Sequence, residues 1–368
     1  MSFNASRLVH PALLQLKPYQ PGKPIAECQR ELGLTHIIKL ASNENPLGTS
    51  PYVIANLLSE MNNLARYPDG GGFELKQALS KHLKVASDEL ILGNGSEDVL
   101  RMMLQTFVFG DLHIIIPQYA FIAYGILAKG LGLGVVEVKA QDFTADLPAM
   151  LKAINHKTRM IILANPNNPT GTYVTENALK EFMEKVPDNV IVVCDEAYYE
   201  YIHEKDYPQT LTWFKKYPNF MITRTFSKAY GLAGLRLGYG IAHPEVIELV
   251  NRLRQPFNVN HLAQVAGCLA LEDQAFVQKG IALNERGKIQ LEKGFTQLGI
   301  KYIPSAGNFI MVHLKNDKDI YQEMLKRGVI IRPLAPYQLA DYFRITVGTE
   351  EENEMCLTAL KQVLTGEK

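Results

Sequence analysis

Apolar residues recur along the chain with two different periods, and the change of period divides it. After Ser50-Pro51, apolar side chains fall at Val53, Ile54, Leu57, Leu58, Met61 and Leu64, the spacing that lays one stripe along a helix. Ser50 offers a capping hydroxyl and Pro51 suits the first helical turn. The turn RYPDGGG (66–72) ends this helix, and a second amphipathic stretch runs from Phe73 to Leu83. From about residue 90, short ungapped apolar runs alternate with helix-like segments: LHIII (112–116), VVEV (135–138), MIILA (160–164), VIVVC (190–194) and FMIT (220–223). Ungapped runs predict strands buried on both faces, hence a mostly parallel sheet covered by helices. Beyond about 255 the pattern is helix-rich, with strands predicted near 308–314 and 342–347. The expected class is α/β. A proline-rich arm (1–40) is expected to pack with a small α+β domain (256–368), beside a large domain (41–255).

Composition narrows the possibilities. A length of 368 residues suits two domains, and 47% hydrophobic with 21% charged residues predicts a packed core rather than disorder. Lys+Arg and Asp+Glu number 38 each, so no basic excess points to nucleic acid or to an anionic membrane. No apolar run has membrane-spanning length, and MSFNASRLVH lacks the core of a signal peptide. Cys28, Cys194, Cys268 and Cys356 lie far apart, with no CxxC pair and no metal spacing. A reduced, cytoplasmic setting without a metal site is expected.

Three polar motifs stand in order, each just after a predicted strand, where ligands of parallel sheets gather. NPNNPTG (165–171) follows MIILA, DEAYYEY (195–201) follows VIVVC, and TFSKAYGLAGLRLG (225–238) follows FMIT. Each has a bland reading alone. A lysine such as Lys228 is usually a solvated surface residue. Asp195 could cap a helix or bind magnesium, although no phosphate loop with Lys-Ser/Thr accompanies it. Asn168 to Gly171 has the composition of a plain turn.

Together, the three motifs closely resemble the fold-type I aminotransferases, enzymes that use pyridoxal 5'-phosphate (PLP), over most of the chain. The resemblance implies that Lys228 joins PLP as an imine and carries the catalytic proton. A free lysine is neutral in only about one molecule in 2,500 at pH 7, so burial and nearby cations are needed to lower its pKa. Asp195 is implied to pair with the pyridine nitrogen, which keeps the ring an electron sink. Asn168 and Tyr198 are implied donors to the ring's phenolic oxygen. For the phosphate, the resemblance implies Gly95, Ser96 and Glu97 at a helix start, with Thr225, Ser227 and Arg236. It also implies Tyr67 supplied across a homodimer interface. Glu97 and Asp98 favour the helix dipole but would repel a phosphate unless turned away. Tyr119, in PQYAF, matches the ring that stacks on the cofactor. Ordinary core packing is its rival reading, and relatives more often carry threonine after that proline.

LKPYQPGKP, LASNENPLG (40–48), RYPDGGG, GVIIRPL (328–334) and FRITVGT (343–349) resemble the histidinol-phosphate aminotransferase branch most closely. That branch moves the amino group of histidinol phosphate to 2-oxoglutarate, giving imidazole-acetol phosphate and glutamate in histidine biosynthesis. Arg332, Arg344, Tyr19 and Asn168 are the implied substrate contacts, because guanidinium forks accept phosphate and carboxylate alike. For Arg344 the alternative is an edge-strand solubilising charge. An aromatic amino-acid aminotransferase and a phosphothreonine-type PLP decarboxylase remain open as alternatives. A PLP-sensing regulator would need a DNA-binding domain. A nicotinamide dehydrogenase is disfavoured because GNGSED (93–98) lacks the third glycine of the dinucleotide turn.

Overall fold

The computed structural model describes residues 3–18, 21–315 and 319–366. Seven strands form the main sheet: β1 (Leu90–Gly93), β2 (His113–Pro117), β3 (Gly134–Val138), β4 (Thr158–Ala164), β5 (Ile191–Asp195), β6 (Phe220–Thr225) and β7 (Gly238–Ile241). Their spatial order is β1-β7-β6-β5-β4-β2-β3. All neighbours are parallel except β7, which runs antiparallel to both β6 and β1. Alternate residues of the central strands feed two cores. Ile161, Leu163, Val192 and Cys194 pack on one face, while Met160, Ile162, Val193 and Met221 pack on the other. Covering both faces with helices is what makes the runs apolar at every position. The edge strand β3 is the exception, and its Glu137 is exposed.

Two strands escape the apolar-run reading. β1 and β7, with sequences LILG and GYGI, are only four residues long, and two of the four in β7 are glycine, which strand propensity scores poorly. The glycines are there for close packing: a Cβ on Gly240 would stand 2.9 Å from a Val99 methyl. The first helix also differs from expectation. Ser50 Oγ accepts hydrogen bonds from Tyr52 N and Val53 N, but the α-helix stops at Glu60 and a 3-10 turn covers Met61–Asn63. Val53 enters the core, whereas Ile54 is 50% and Leu58 68% exposed. The apolar stripe is therefore two stripes, only one of which faces this chain's own core.

A second sheet holds β8 (Lys301–Ile303), β9 (Phe309–His313), β10 (Arg332–Pro333) and β11 (Tyr342–Thr346) in the antiparallel order β10-β11-β9-β8. The helix Glu350–Thr365 packs on it, opened by a capping box between Thr349 and Glu352. From the N-terminal side, Ile38–Lys39 pairs in parallel with Val329–Ile330, and Cys28 and Ala41 pack with Leu325 and Ile330. The helix His261–Glu272 still packs against the main sheet's core through Ala263, Ala266 and Ala270. The chain leaves that core within the helix Gln274–Gln297: Val277 and Ile281 lie in the main sheet's core, Leu291 and Phe295 in the core of the second sheet.

Candidate active site

The carboxyl ends of β1, β2, β4, β5 and β6 open onto one cavity, which β11 and residues 41–43 close from the other side. Lys228 lies three residues past the end of β6, in the turn that leads to β7. Its Nζ donates to Ser42 O at 3.0 Å. Burial pulls the amine far down, to about 7, and the cations of Arg344, Arg236 and Lys39 add to the effect. Lys228 thus holds an amine that is neutral in a large fraction of molecules near pH 7, while it faces open space.

Asp195 is the last residue of β5 and is 6% exposed. Its two oxygens differ. Oδ2 accepts a hydrogen bond of 2.6 Å from Tyr124 OH. Oδ1 is buried without a hydrogen-bond partner. Burial raises the carboxyl's pKa, and the Tyr124 hydroxyl opposes that rise. A buried acceptor without a donor is costly, so a group able to donate is the natural occupant of the cavity beside it.

Above this pair, Tyr198 OH accepts from Asn43 Nδ2 at 2.9 Å and from Asn168 Nδ2 at 3.2 Å. Both contacts use the oxygen as acceptor, which leaves its own proton to donate. Burial raises this phenol to about 12, so it stays protonated. Asn168 Oδ1 in turn accepts from Arg344 Nη1 at 2.5 Å, and Arg344 Nη2 donates to Ala41 O at 2.6 Å. Arg344 sits on β11 in the second sheet, 7% exposed. It is not an edge-strand solubilising charge.

An anion cradle forms at the opposite end. The helix Ser96–Phe107 begins here, and Ser96 and Glu97 line the cavity with Thr225, Ser227 and Arg236. Arg236 Nη1 donates to Ser227 Oγ at 3.3 Å, and Ser227 N donates to Thr225 Oγ1 at 3.1 Å. Gly95 has φ +83°, and a Cβ there would stand 2.7 Å from Arg236 Nη2, so glycine lets the guanidinium lie against the helix start. Asp98 is turned away: its Oδ1 takes Arg101 Nη2 at 2.6 Å and its Oδ2 takes Asn94 N at 3.0 Å. Glu97 is exposed at the rim. A helix N-terminus beside a guanidinium and two hydroxyls is suited to phosphate.

Four expectations fare differently. Tyr119 does not line this cavity. It takes a left-handed backbone, φ 62°, its carbonyl accepts from Asn167 Nδ2, and its ring packs against Phe143. Phe121, two residues later, lines the cavity instead. Arg332 is also off the wall. It is half-buried on β10, directly across from Arg344 in the antiparallel register. Tyr67 is 82% exposed and stacks on Phe257 with ring centroids 4.5 Å apart. Tyr19 lies outside the described residues. Sequence reasoning missed Ser42 and Asn43, Phe121 and Tyr124. Asn43 lies inside the quoted segment LASNENPLG, but nothing in that segment singles it out.

Comparison with known proteins places this geometry. The model of the family "Aminotransferase class I and II" matches residues 35–360. The chain belongs to this family. Among similar aminotransferases is histidinol-phosphate aminotransferase 1 of Idiomarina loihiensis, 46% identical over 98% of this chain and 99% of that protein. Histidinol-phosphate aminotransferase 2 of Hydrogenovibrio crunogenus is 49% identical over 97% of this chain and 96% of its own length. Among solved aminotransferase structures, histidinol-phosphate aminotransferase of Sinorhizobium meliloti in complex with pyridoxal-5'-phosphate superposes with a TM-score of 0.88. It is 25% identical, and the match covers 98% of each chain.

Proposed function

We propose that this aminotransferase uses PLP, held by Lys228, to move the amino group of histidinol phosphate to 2-oxoglutarate. The products are imidazole-acetol phosphate and glutamate, a step of histidine biosynthesis. One observation carries the reading. A lysine amine with a pKa near 7, a buried carboxylate oxygen without a donor, and a guanidinium–hydroxyl cradle share one cavity. These features fit PLP point by point: an amine for its aldehyde, a carboxylate for its ring nitrogen, and a cradle for its phosphate. The identity of the amino donor rests on relatives that bear the histidinol-phosphate aminotransferase name over nearly the whole chain.

When bound, the cofactor supplies a ring that withdraws the electrons left behind when the donor's Cα loses its proton. The protein's side chains do the rest. Lys228 Nζ, neutral in a large fraction of molecules near pH 7, accepts the Cα proton and gives it back on the product side. Asp195 Oδ1 would hold a proton on the ring nitrogen, and Tyr198 OH and Asn168 Nδ2 would donate to the phenolic oxygen. Phe121, on the cavity wall, would pack on the ring. Ser96, Thr225, Ser227 and Arg236 would hold the phosphate, with Gly95 leaving room. Arg344 presents its fork to the anionic end of either substrate, and Arg332, its cross-strand neighbour, adds positive charge on the same side.

A homodimer belongs to the proposal, with Tyr67 reaching the partner's phosphate. The exposed Tyr67 ring and the outward stripe of Ile54, Leu58 and Met61 support it, since apolar surface of this kind marks an interface. A cytoplasmic setting fits four cysteines that are all free thiols. Among the described residues, no helix is long and apolar enough to cross a membrane. Borohydride reduction of the purified, PLP-loaded protein tests the site. The label is expected on the peptide containing Lys228, and a label on another lysine overturns the assignment.

A further inference from the structure

We propose that Tyr124 is a positioning residue for Asp195: its hydroxyl fixes which carboxylate oxygen faces the cofactor's ring nitrogen and keeps that carboxylate ionised. The inference rests on the PLP reading above and adds a residue that the three motifs do not contain.

Tyr124 comes from the helix Ile122–Gly130, which follows β2, and Asp195 ends β5, so the contact joins elements 71 positions apart. The tyrosine is 1% exposed, and its ring meets Phe121 edge to face, with centroids 5.7 Å apart and planes at 86°. Among the described residues its hydroxyl makes no other hydrogen bond, so packing sets the phenol's orientation and its proton is directed at Asp195 Oδ2. That contact occupies Oδ2 and leaves Oδ1, on a residue that lines the cavity, as the oxygen without a donor.

Electrostatics make the arrangement one-directional. Burial, followed by the Asp195 charge, lifts the Tyr124 phenol well above the ordinary range, so it is a permanent donor at any working pH. The carboxylate has the opposite problem. Burial and the neighbouring Glu196 raise its pKa, and the Tyr124 hydroxyl is the foremost group opposing the rise. Tyr198 and Cys194 are the other titratable groups close by, and both are held protonated by burial. Without the Tyr124 hydroxyl, the carboxyl is free to turn, and its protonation moves to higher pH. A protonated Asp195 cannot pair with a ring that must keep its own proton.

The experiment measures PLP binding to apo-protein by absorbance titration from pH 5.5 to 8.5, using wild type, Tyr124→Phe, Asp195→Asn and the double variant. Tyr124→Phe keeps the ring that packs on Phe121. Loss of one charge-assisted hydrogen bond predicts affinity about tenfold weaker or more, with the acid-side fall in affinity shifted to higher pH. In the Asp195→Asn background the same substitution should change affinity less than twofold, because the effect runs through the carboxylate. Equal losses in both backgrounds, or an unshifted pH profile, overturn the proposal. Should Tyr124→Phe not fold, Tyr124→Trp, whose indole N–H can still donate, should retain the wild-type acid-side profile; a shifted profile there overturns the proposal too. Wild-type protein that takes up no PLP would instead remove the parent reading, a distinct result.

Discussion

Arg344 Nη1 and Asn168 Oδ1 are 2.5 Å apart, and this contact ties β11 of the second sheet to the loop after β4 of the first. Because Asn168 Nδ2 also donates to Tyr198 OH, the fork proposed for the substrate's anion and the donors proposed for the ring oxygen form one chain of hydrogen bonds.

Removing the fork therefore acts on both half-reactions. Arg344→Ala should lower kcat/KM for histidinol phosphate and for 2-oxoglutarate alike, each by roughly one to two powers of ten. Arg344→Lys should recover little, since a single ammonium cannot reach Asn168 Oδ1 and Ala41 O and still present a fork. Steady-state kinetics with each substrate varied in turn checks both statements.

The depressed pKa of Lys228 has a consequence for stability in the apo-protein. A lysine pulled from near 10.5 to about 7 binds its proton less well folded than unfolded. The destabilisation is full below pH 7 and is relieved as pH rises toward 10.5. Thermal melts should find apo Lys228→Met more stable than apo wild type at pH 7, with the gap closing as pH climbs to 10. A gap that widens with pH contradicts the depressed pKa.

Tyr119 and Phe121 are separable by mutation. Phe121→Ala should weaken PLP affinity several-fold, because the cavity loses the ring on its wall. Tyr119→Ala should leave affinity within about twofold, since that side chain packs against Phe143 outside the cavity. Equilibrium titration of each apo-variant with PLP reads the difference.

Much of this site was legible because parallel sheets place function at strand ends. Lys228, Asp195 and Asn168 each follow an apolar run that became β6, β5 or β4. What was not legible depends on backbone geometry. The positive φ of Tyr119 turns that side chain aside and brings Phe121 to the wall, and no composition rule announces such a residue. Asn43 also adopts positive φ and reaches Tyr198 across 155 positions, a pairing that only the tertiary fold creates. The antiparallel β7 stayed hidden because its glycines leave no apolar run.

The outward stripe of the helix Pro51–Glu60 predicts assembly. Leu58 is 68% exposed, and a charge there would be buried in the proposed homodimer. Leu58→Asp should shift sedimentation from dimer to monomer and reduce PLP affinity as Tyr67 is lost from the neighbouring site. A wild-type protein that sediments as a fully active monomer excludes the composite site.

The central claim concerns the substrate, and a single comparison tests it most directly. With 2-oxoglutarate as acceptor, kcat/KM is measured for histidinol phosphate, phenylalanine and tyrosine on the wild-type enzyme. The pocket proposed here holds a phosphate dianion with a guanidinium fork, so histidinol phosphate should exceed both aromatic donors by at least about tenfold, with glutamate formed in equal amount. Higher values for phenylalanine or tyrosine would contradict the assignment and make the chain an aromatic amino-acid aminotransferase.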